Sequence, residues 1–374
     1  MKRIYFLDNI RVFAMFAVLT VHALVFYSHH VFIDYIPHFQ TDYFSIDYIL
    51  YFLHYINMPI FFVLGGYFAK HIMQSHGIAY FLNERFVKLG IPFILGILII
   101  APIHFMIFVD QFIGHTEWVH QPNKIITLII QVFLNPEYFW FIYYLLCYSF
   151  IAILCCQTKV FDFTMRFLFN RRHYIATSIL LLALFISLGT TIPIALPLSI
   201  KIMPQPFLVY GFFFYYGWMS RSEVFIFENN KRFCWLFMWM SLLALGGIIL
   251  LWPYSNQQLI YNMIICIDAV SLFLLCNSFF GLFYRYCDFS NKTLKFLSVT
   301  SYWTYLINFP IFAVLSLLFF PLPIPLFFKI ILELICILLI SFASYTFMIE
   351  RTFLLQIYQG KYRITFRQKK LVIT

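Results

Sequence analysis

Charge is what this sequence has least of. Asp, Glu, Lys and Arg together make up 11% of its 374 residues, where a soluble globular chain carries about 25%. That deficit excludes a water-facing surface over most of the chain. Several short motifs are also missing: a Walker loop, a dinucleotide fingerprint, a glycine-flanked nucleophilic serine and a helix with paired metal-binding histidines. Their absence argues against an ATP-driven pump and a recognisable soluble hydrolase. The eight cysteines show no zinc-type spacing, and none falls in a loop expected outside, so neither a metal centre nor a disulfide framework is expected. No internal repeat, low-complexity tract or soluble domain stands out.

What is there is apolar. The chain is 63% hydrophobic and 22% aromatic, with 50 Phe, and such rings suit lipid-facing and interfacial positions. The net charge of +10 does not point to nucleic acid, because the basic residues recur in short loops and do not gather in one patch. A crossing helix needs roughly 20 apolar residues. Ten stretches qualify, at about 10–28, 48–69, 87–109, 138–156, 174–192, 206–220, 233–252, 258–284, 297–320 and 326–348; the sixth is short. Residues 124–134 read as an interfacial or re-entrant helix. The basic start (Lys2, Arg3) followed by an apolar stretch resembles a signal peptide, but no small-residue cleavage site follows and Arg11 and His22 interrupt it. It is read as a retained first span.

Loop charge tests this count. With the N-terminus inside, 22 of the 25 Lys and Arg fall on the cytoplasmic side, only Lys124 and Lys201 fall outside, and Lys329 lies at the outer start of the last span. One missed span would invert every later loop, so the split supports the count. The expected fold is therefore an all-α integral membrane protein, a bundle of about ten transmembrane helices with both termini cytoplasmic. Residues 1–350 form one domain and 351–374 a basic tail, a solvated anchor near anionic headgroups. The outer loops 29–47 and 110–123 are rich in Asp and His and carry no Lys or Arg.

Ionisable residues inside spans are costly and are functional candidates. In LDNIRVFAMFAVLTVHAL (7–24), Arg11 and His22 are eleven positions apart, about 20° past three full turns and about 16 Å along the axis. Both therefore share one face. An Arg at the cytoplasmic mouth suits a phosphate-bearing donor, and an imidazole deeper on that face suits a general base. The plainer alternative is a snorkelling Arg and a hydrogen-bonded structural His. In the second span, His54 and Asn57 share a face beside Pro59, which breaks the backbone ladder, and Gly65-Gly66 permits close helix approach. Arg85 and Lys88 lie together at a cytoplasmic helix start, as an anion site or as ordinary anchoring. Mid-span Asp268 either orients a histidine or pairs structurally. Asn308 follows Ser301, Tyr302, Thr304 and Tyr305, which together read as a hydrated wall. His104 and Asn262 are further polar residues within spans, and Glu333 is spaced to pair with Lys329.

The Arg-x10-His pattern on a first span, preceded by Leu7-Asp8-x-x-Arg11, resembles the acyltransferase 3 family of membrane O-acyltransferases. The resemblance continues through Met58-Pro59-x-Phe61-Phe62 to Gly66-Tyr67, where Gly65 stands in place of the usual Ser. It continues through Arg85-x-x-Lys88 before Ile91-Pro92-Phe93, where the family usually has a second Arg, and through Tyr138 to Leu145. It ends with Ser301-Tyr302 to Tyr305-Leu306, where Asn308 stands at a position often held by His, and with Ile349 to Thr352. The chain is most similar to the glucan-modifying branch. The resemblance implies ten core spans in the inner membrane and transfer of an acetyl or succinyl group from acyl-CoA, the donor substrate, to a carbohydrate hydroxyl on a glucan, polysaccharide or lipopolysaccharide. It implies His22 as base, with Arg11, Arg85 and Lys88 near the donor. Asp8, His54, Asn57, Asp268, Tyr305 and Asn308 would bind substrate or support the site. Tyr305 or Asn57 would stabilise the oxyanion, and transfer would be direct. No metal or resident cofactor is expected. The rival reading is a transporter or flippase using the same polar residues as a path; broken helices and inverted repeats would favour it, and no clear repeat is seen.

Overall fold

A computed structural model describes residues 4–28, 44–102, 139–156, 158–189, 197 and 200–352. Among them every regular element is helical and no strand occurs. The physical reason is that continuous apolar runs destined for lipid must satisfy their backbone internally, and a helix does so within one segment. In chain order the helices are α1 (Tyr5–Val25), α2 (Phe44–Arg85), α3 (Ile91–Leu95), α4 (Trp140–Cys156), α5 (Lys159–Leu168) and α6 (Tyr174–Ile186). They continue with α7 (Pro204–Ser220), α8 (Phe225–Leu251), α9 (Gln258–Tyr286), α10 (Lys292–Phe319) and α11 (Leu326–Ser344). Six helical stretches are long and apolar enough to cross a membrane: Tyr5–Val25, Ile46–Ile100, Phe225–Tyr254, Gln258–Tyr286, Lys292–Phe319 and Leu326–Glu350. Trp140–Cys155 and Tyr174–Ile186 are shorter apolar helices.

Three boundaries differ from expectation. The second helix does not stop near residue 69. It runs on to Arg85 and turns at Gly77, whose φ of 81° and ψ of 173° are open to glycine alone. Pro59, expected to disrupt the backbone, sits inside helical dihedrals. The third apolar stretch is wound as two π-helical turns, Phe86–Gly90 and Gly96–Ile100, around α3. The basic loop after the fourth stretch contains α5, whose Phe163 and Phe167 stand exposed beside Arg166. The stretches at 29–43, 103–138 and 353–374, which hold the acidic and histidine-rich outer loops, His104, the 124–134 helix and the basic tail, lie outside the described residues.

Helix α1 is the most enclosed of the six, with 67% of its spanning window buried against 17% for Phe225–Tyr254. Its apolar neighbours include Phe279 of α9, stacked on Phe13 at 5.2 Å. Its first turns are tied down by polar contacts: Asn9 donates to the carbonyls of Cys287 (2.6 Å) and Phe289 (2.8 Å), and the Phe6 amide donates to Asp288. Helix α2 packs against α7 with backbones nearly touching. A Cβ on Gly66 would lie 1.7 Å from the Phe214 carbonyl oxygen, and one on Gly217 would lie 1.9 Å from that of Val63. This is the small-residue seam expected where helices approach closely in lipid. Large apolar side chains such as Leu180, Leu184, Leu243, Leu250, Leu259 and Phe327 stand exposed on several helices, as suits surfaces that face lipid.

Candidate active site

The site is assembled on α10. Ser298, Tyr302, Tyr305 and Asn308 recur at helical spacing on one face, and that face meets α1 and the chain after α2. Ser298 lies beside Arg11, and ten residues later Asn308 lies beside His22. The two helices therefore run side by side in the same direction, in near register. Asn291 starts α10 by accepting from the Leu294 amide at 2.7 Å.

At one end Arg11 sits among Asp8, Ser298 and Phe68. Its Nη1 is 3.6 Å from Asp8 Oδ1 and donates to Ser298 Oγ at 3.4 Å, while that hydroxyl donates to Asp8 at 3.1 Å. The guanidinium lies over the Phe68 ring, 4.7 Å from its centroid. The Arg11 side chain stays 29% exposed, so it is held in place and still open to a ligand. Ser298 escaped the sequence reading, although it lies three residues before Ser301 and thus continues the polar face.

Deeper along the same face, His22 Nδ1 is 2.6 Å from Asn308 Oδ1. With the amide oxygen as acceptor, Nδ1 carries the ring proton and Nε2 keeps its lone pair. The edge of the Phe309 ring meets the imidazole, with centroids 4.9 Å apart. Asn308 and Thr304 are both fully buried, and Asn308 Nδ2 and Thr304 Oγ1 have no hydrogen-bond partner among the described residues. Unpaired buried groups of this kind cost about 1–3 kcal/mol each. Asn308, one of the two, is in direct contact with the His22 imidazole. His54 on α2 is near enough to His22 for two charged rings to repel. Tyr305 is buried, edge-on to Phe141 at 5.7 Å.

Arg85 and Lys88 flank a residue not singled out from the sequence. Glu84 Oε1 is 2.9 Å from Lys88 Nζ, and Oε2 is 3.3 Å from Arg85 Nε. Its signal was available, since a carboxylate four residues before Lys88 is at pairing distance on a helix. The Arg85 guanidinium also lies 5.0 Å from the centroid of the Phe81 ring. Tyr302 donates to the Lys88 carbonyl at 2.6 Å, filling an acceptor within the π-helical turn. Tyr302 is one turn from Ser298, so α10 brings the neighbourhoods of Arg11 and of Lys88 together.

Other expected residues are placed elsewhere. Asp268 does not orient a histidine: its Oδ1 accepts from Tyr55 at 2.8 Å, and the same hydroxyl reaches the Asp268 carbonyl at 2.9 Å, tying α9 to α2. Asn57 turns its amide to the α1 backbone, donating to the Ala14 carbonyl (3.3 Å) and accepting from the Val18 amide (3.0 Å). That use makes it a support for α1 and takes its N–H away from an oxyanion. Glu333 does not pair with Lys329. It accepts from Tyr27 at 2.5 Å, and Lys329 donates to the Phe320 carbonyl. Asn262 is exposed and accepts from Gln258. No group of three or more His, Cys, Asp or Glu side chains is placed to hold a metal ion among the described residues.

A family model described as an acyltransferase domain matches residues 4–347. It thus covers α1 through α11 and every residue of the face just described. No curated protein and no solved structure matches the chain significantly. With its apolar helices and this match over most of its length, the chain belongs to the acyltransferase 3 family, as a multi-pass membrane enzyme that transfers acyl groups other than aminoacyl groups.

Proposed function

We propose that this enzyme moves an acetyl or succinyl group from acyl-CoA to a hydroxyl of a cell-envelope carbohydrate, a glucan by preference, at the inner membrane. The observation that carries the proposal is the 2.6 Å contact between His22 Nδ1 and Asn308 Oδ1. It leaves Nε2 as a lone-pair base, which is the tautomer that proton abstraction requires. In the proposed reaction Nε2 takes the acceptor's hydroxyl proton while that oxygen attacks the thioester carbonyl. The tetrahedral oxyanion collapses with cleavage of the C–S bond, and the departing thiolate recovers the proton from the imidazolium. Transfer is direct and needs no nucleophile from the chain. Tyr305, three residues before Asn308, is the candidate donor to the oxyanion. His54 supports the acceptor side.

Arg11, held by Asp8 and Ser298, and the Arg85–Lys88 pair supply cations for the donor's phosphates. They flank neighbouring turns of α10 at Ser298 and Tyr302, which supports a shared donor site. The proposed topology has ten spans in one domain, 1–350, with both termini and the basic tail 351–374 in the cytoplasm. In this topology the stretch Ile46–Ile100 makes two crossings separated at Gly77, and α4, α6 and α7 are taken as three short ones. The distribution of Lys and Arg supports the orientation, since 22 of 25 fall on the side that holds the Arg11 end of α1. The transporter reading accounts less well for the match to an acyltransferase family.

The test uses inverted membrane vesicles and acetyl- or succinyl-CoA labelled in the acyl group. Label should pass to glycan with the wild type and fall to background in His22→Ala at equal protein level. Transfer retained in the variant would remove His22 from the reaction. No transfer by the wild type with any donor or acceptor tried would reject the donor and acceptor assignment.

A further inference from the structure

We propose that Glu84 is a built-in competing anion in the donor site: its carboxylate occupies the place between Arg85 and Lys88 that a donor phosphate takes, and must be displaced for the donor to bind. The inference rests on the reading of Arg85 and Lys88 as donor-binding residues.

Three features of the cluster support displacement. The carboxylate is buried, with its side chain only 4% exposed, and it spans both cations, one oxygen to each, at 2.9 and 3.3 Å. A phosphate bridging the same two groups would need the same position. The cations are not equally sealed in: the Arg85 side chain is 12% exposed and that of Lys88 35%, so a ligand can approach from the Lys88 side. Finally, the pairing on the buried side is incomplete. Glu84 Oε2 and Arg85 Nε are within ion-pair distance, yet neither atom completes a well-aligned hydrogen bond. A guanidinium fork and a carboxylate normally meet in parallel, well-aligned bonds. Here the carboxylate neutralises the Arg without filling its donors, which leaves room for a better acceptor.

The consequence is selectivity by charge. With Glu84 in place the cluster carries one net positive charge. A ligand with a single weak negative charge gains little by displacing a carboxylate already there. A ligand carrying several phosphates, as coenzyme A does, brings enough charge to compensate for the exchange. Glu84 thus weakens donor binding overall and weakens the binding of lesser anions more.

The experiment measures binding of coenzyme A, and of pantetheine as the phosphate-free control, to the purified full-length protein in detergent. The variants are wild type, Arg85→Ala, Glu84→Gln and Glu84→Asp. The expected result is a Kd for coenzyme A lowered about tenfold in Glu84→Gln, the size of one charge-assisted contact. A smaller gain is expected in Glu84→Asp, whose shorter side chain reaches Lys88 less well, and pantetheine binding should not change. Glu84→Asp keeps the charge and serves as the folded reference if Glu84→Gln is unstable. Tight binding by the wild type that Arg85→Ala weakens, with Glu84→Gln and Glu84→Asp unchanged or weaker, would overturn the inference and leave the donor site standing. Binding that Arg85→Ala does not alter, or none in the wild type, would overturn the donor-site reading and the inference with it.

Discussion

Replacing Asn308 by Leu removes the oxygen that accepts from His22 and keeps the volume close to the original. The lost contact is short, at 2.6 Å, and Asn308 is fully buried, so water cannot substitute for it. The stranded ring N–H then costs about 1–3 kcal/mol, or the ring turns or changes tautomer to avoid that cost. Either response takes Nε2 out of line with the acceptor. At about 1.4 kcal/mol per factor of ten, the loss amounts to about 5- to 150-fold. Removing groups that orient metal-bound histidines from behind costs about 10- to 100-fold, a range that overlaps this one. We therefore expect kcat for labelled acyl transfer to fall about 10- to 100-fold in Asn308→Leu. The KM for the donor should be little changed, because the cations that would hold it are elsewhere on the face. Asn308→Asp keeps an oxygen acceptor at the same place and should retain most of the activity. Vesicles with matched protein levels and a donor titration separate the two constants. A wild-type kcat in Asn308→Leu would refute the reasoning, since the imidazole would then need no orienting partner.

Further outcomes follow from the packing and the donor end. Gly66→Ala should destabilise the protein by about 1–3 kcal/mol or more through overpacking, because its Cβ meets the Phe214 carbonyl at 1.7 Å; Gly65→Ala clashes with the flexible tip of Leu145 at 2.6 Å, touches the Phe214 ring at an ordinary 3.7 Å, and should cost less. Thermal unfolding in detergent ranks the two, and equal stability would argue against the close α2–α7 contact. Gly77→Ala meets no atom within 4 Å, yet it should lose about 1–3 kcal/mol from backbone strain alone. A neutral effect in the same assay would contradict the turn geometry. Ser298→Ala should raise the donor KM more than it lowers kcat, since it loosens Arg11 and leaves His22 untouched; the reverse split in steady-state kinetics would detach Arg11 from donor binding.

Much of this protein is legible in the chain because lipid leaves few choices. Scarce charge and long apolar runs dictate helices, and the eleven-residue spacing of Arg11 and His22 puts both on one face whatever surrounds them. Helical periodicity likewise groups Tyr302, Tyr305 and Asn308. A turn near Gly77 agrees with the loop expected between the second and third spans, but the helix that continues on both sides of it, to Arg85, was not legible, because the polar residues 70–76 read as the end of a span. Partner identity was not legible either. Asp268 lies on the right span to serve a histidine, and it serves Tyr55 instead because α9 meets α2 at that level. Glu333 has the spacing to pair with Lys329, and Tyr27 reaches it from the turn that follows α1. Asn308 departs from a family pattern, yet it holds the imidazole.

The sequence by itself determined which residues share a helix face and that the chain is built of membrane helices, since both depend on local geometry and solvent. Only the tertiary structure decided which faces meet. The parallel register of α1 and α10 joins Arg11 to Ser298 and His22 to Asn308 across nearly 300 positions. Asn57 and Asn9 tie α1 in place from other segments, and the α2–α7 glycines let those two backbones come close. Such contacts are set by packing between distant segments, which no local pattern encodes.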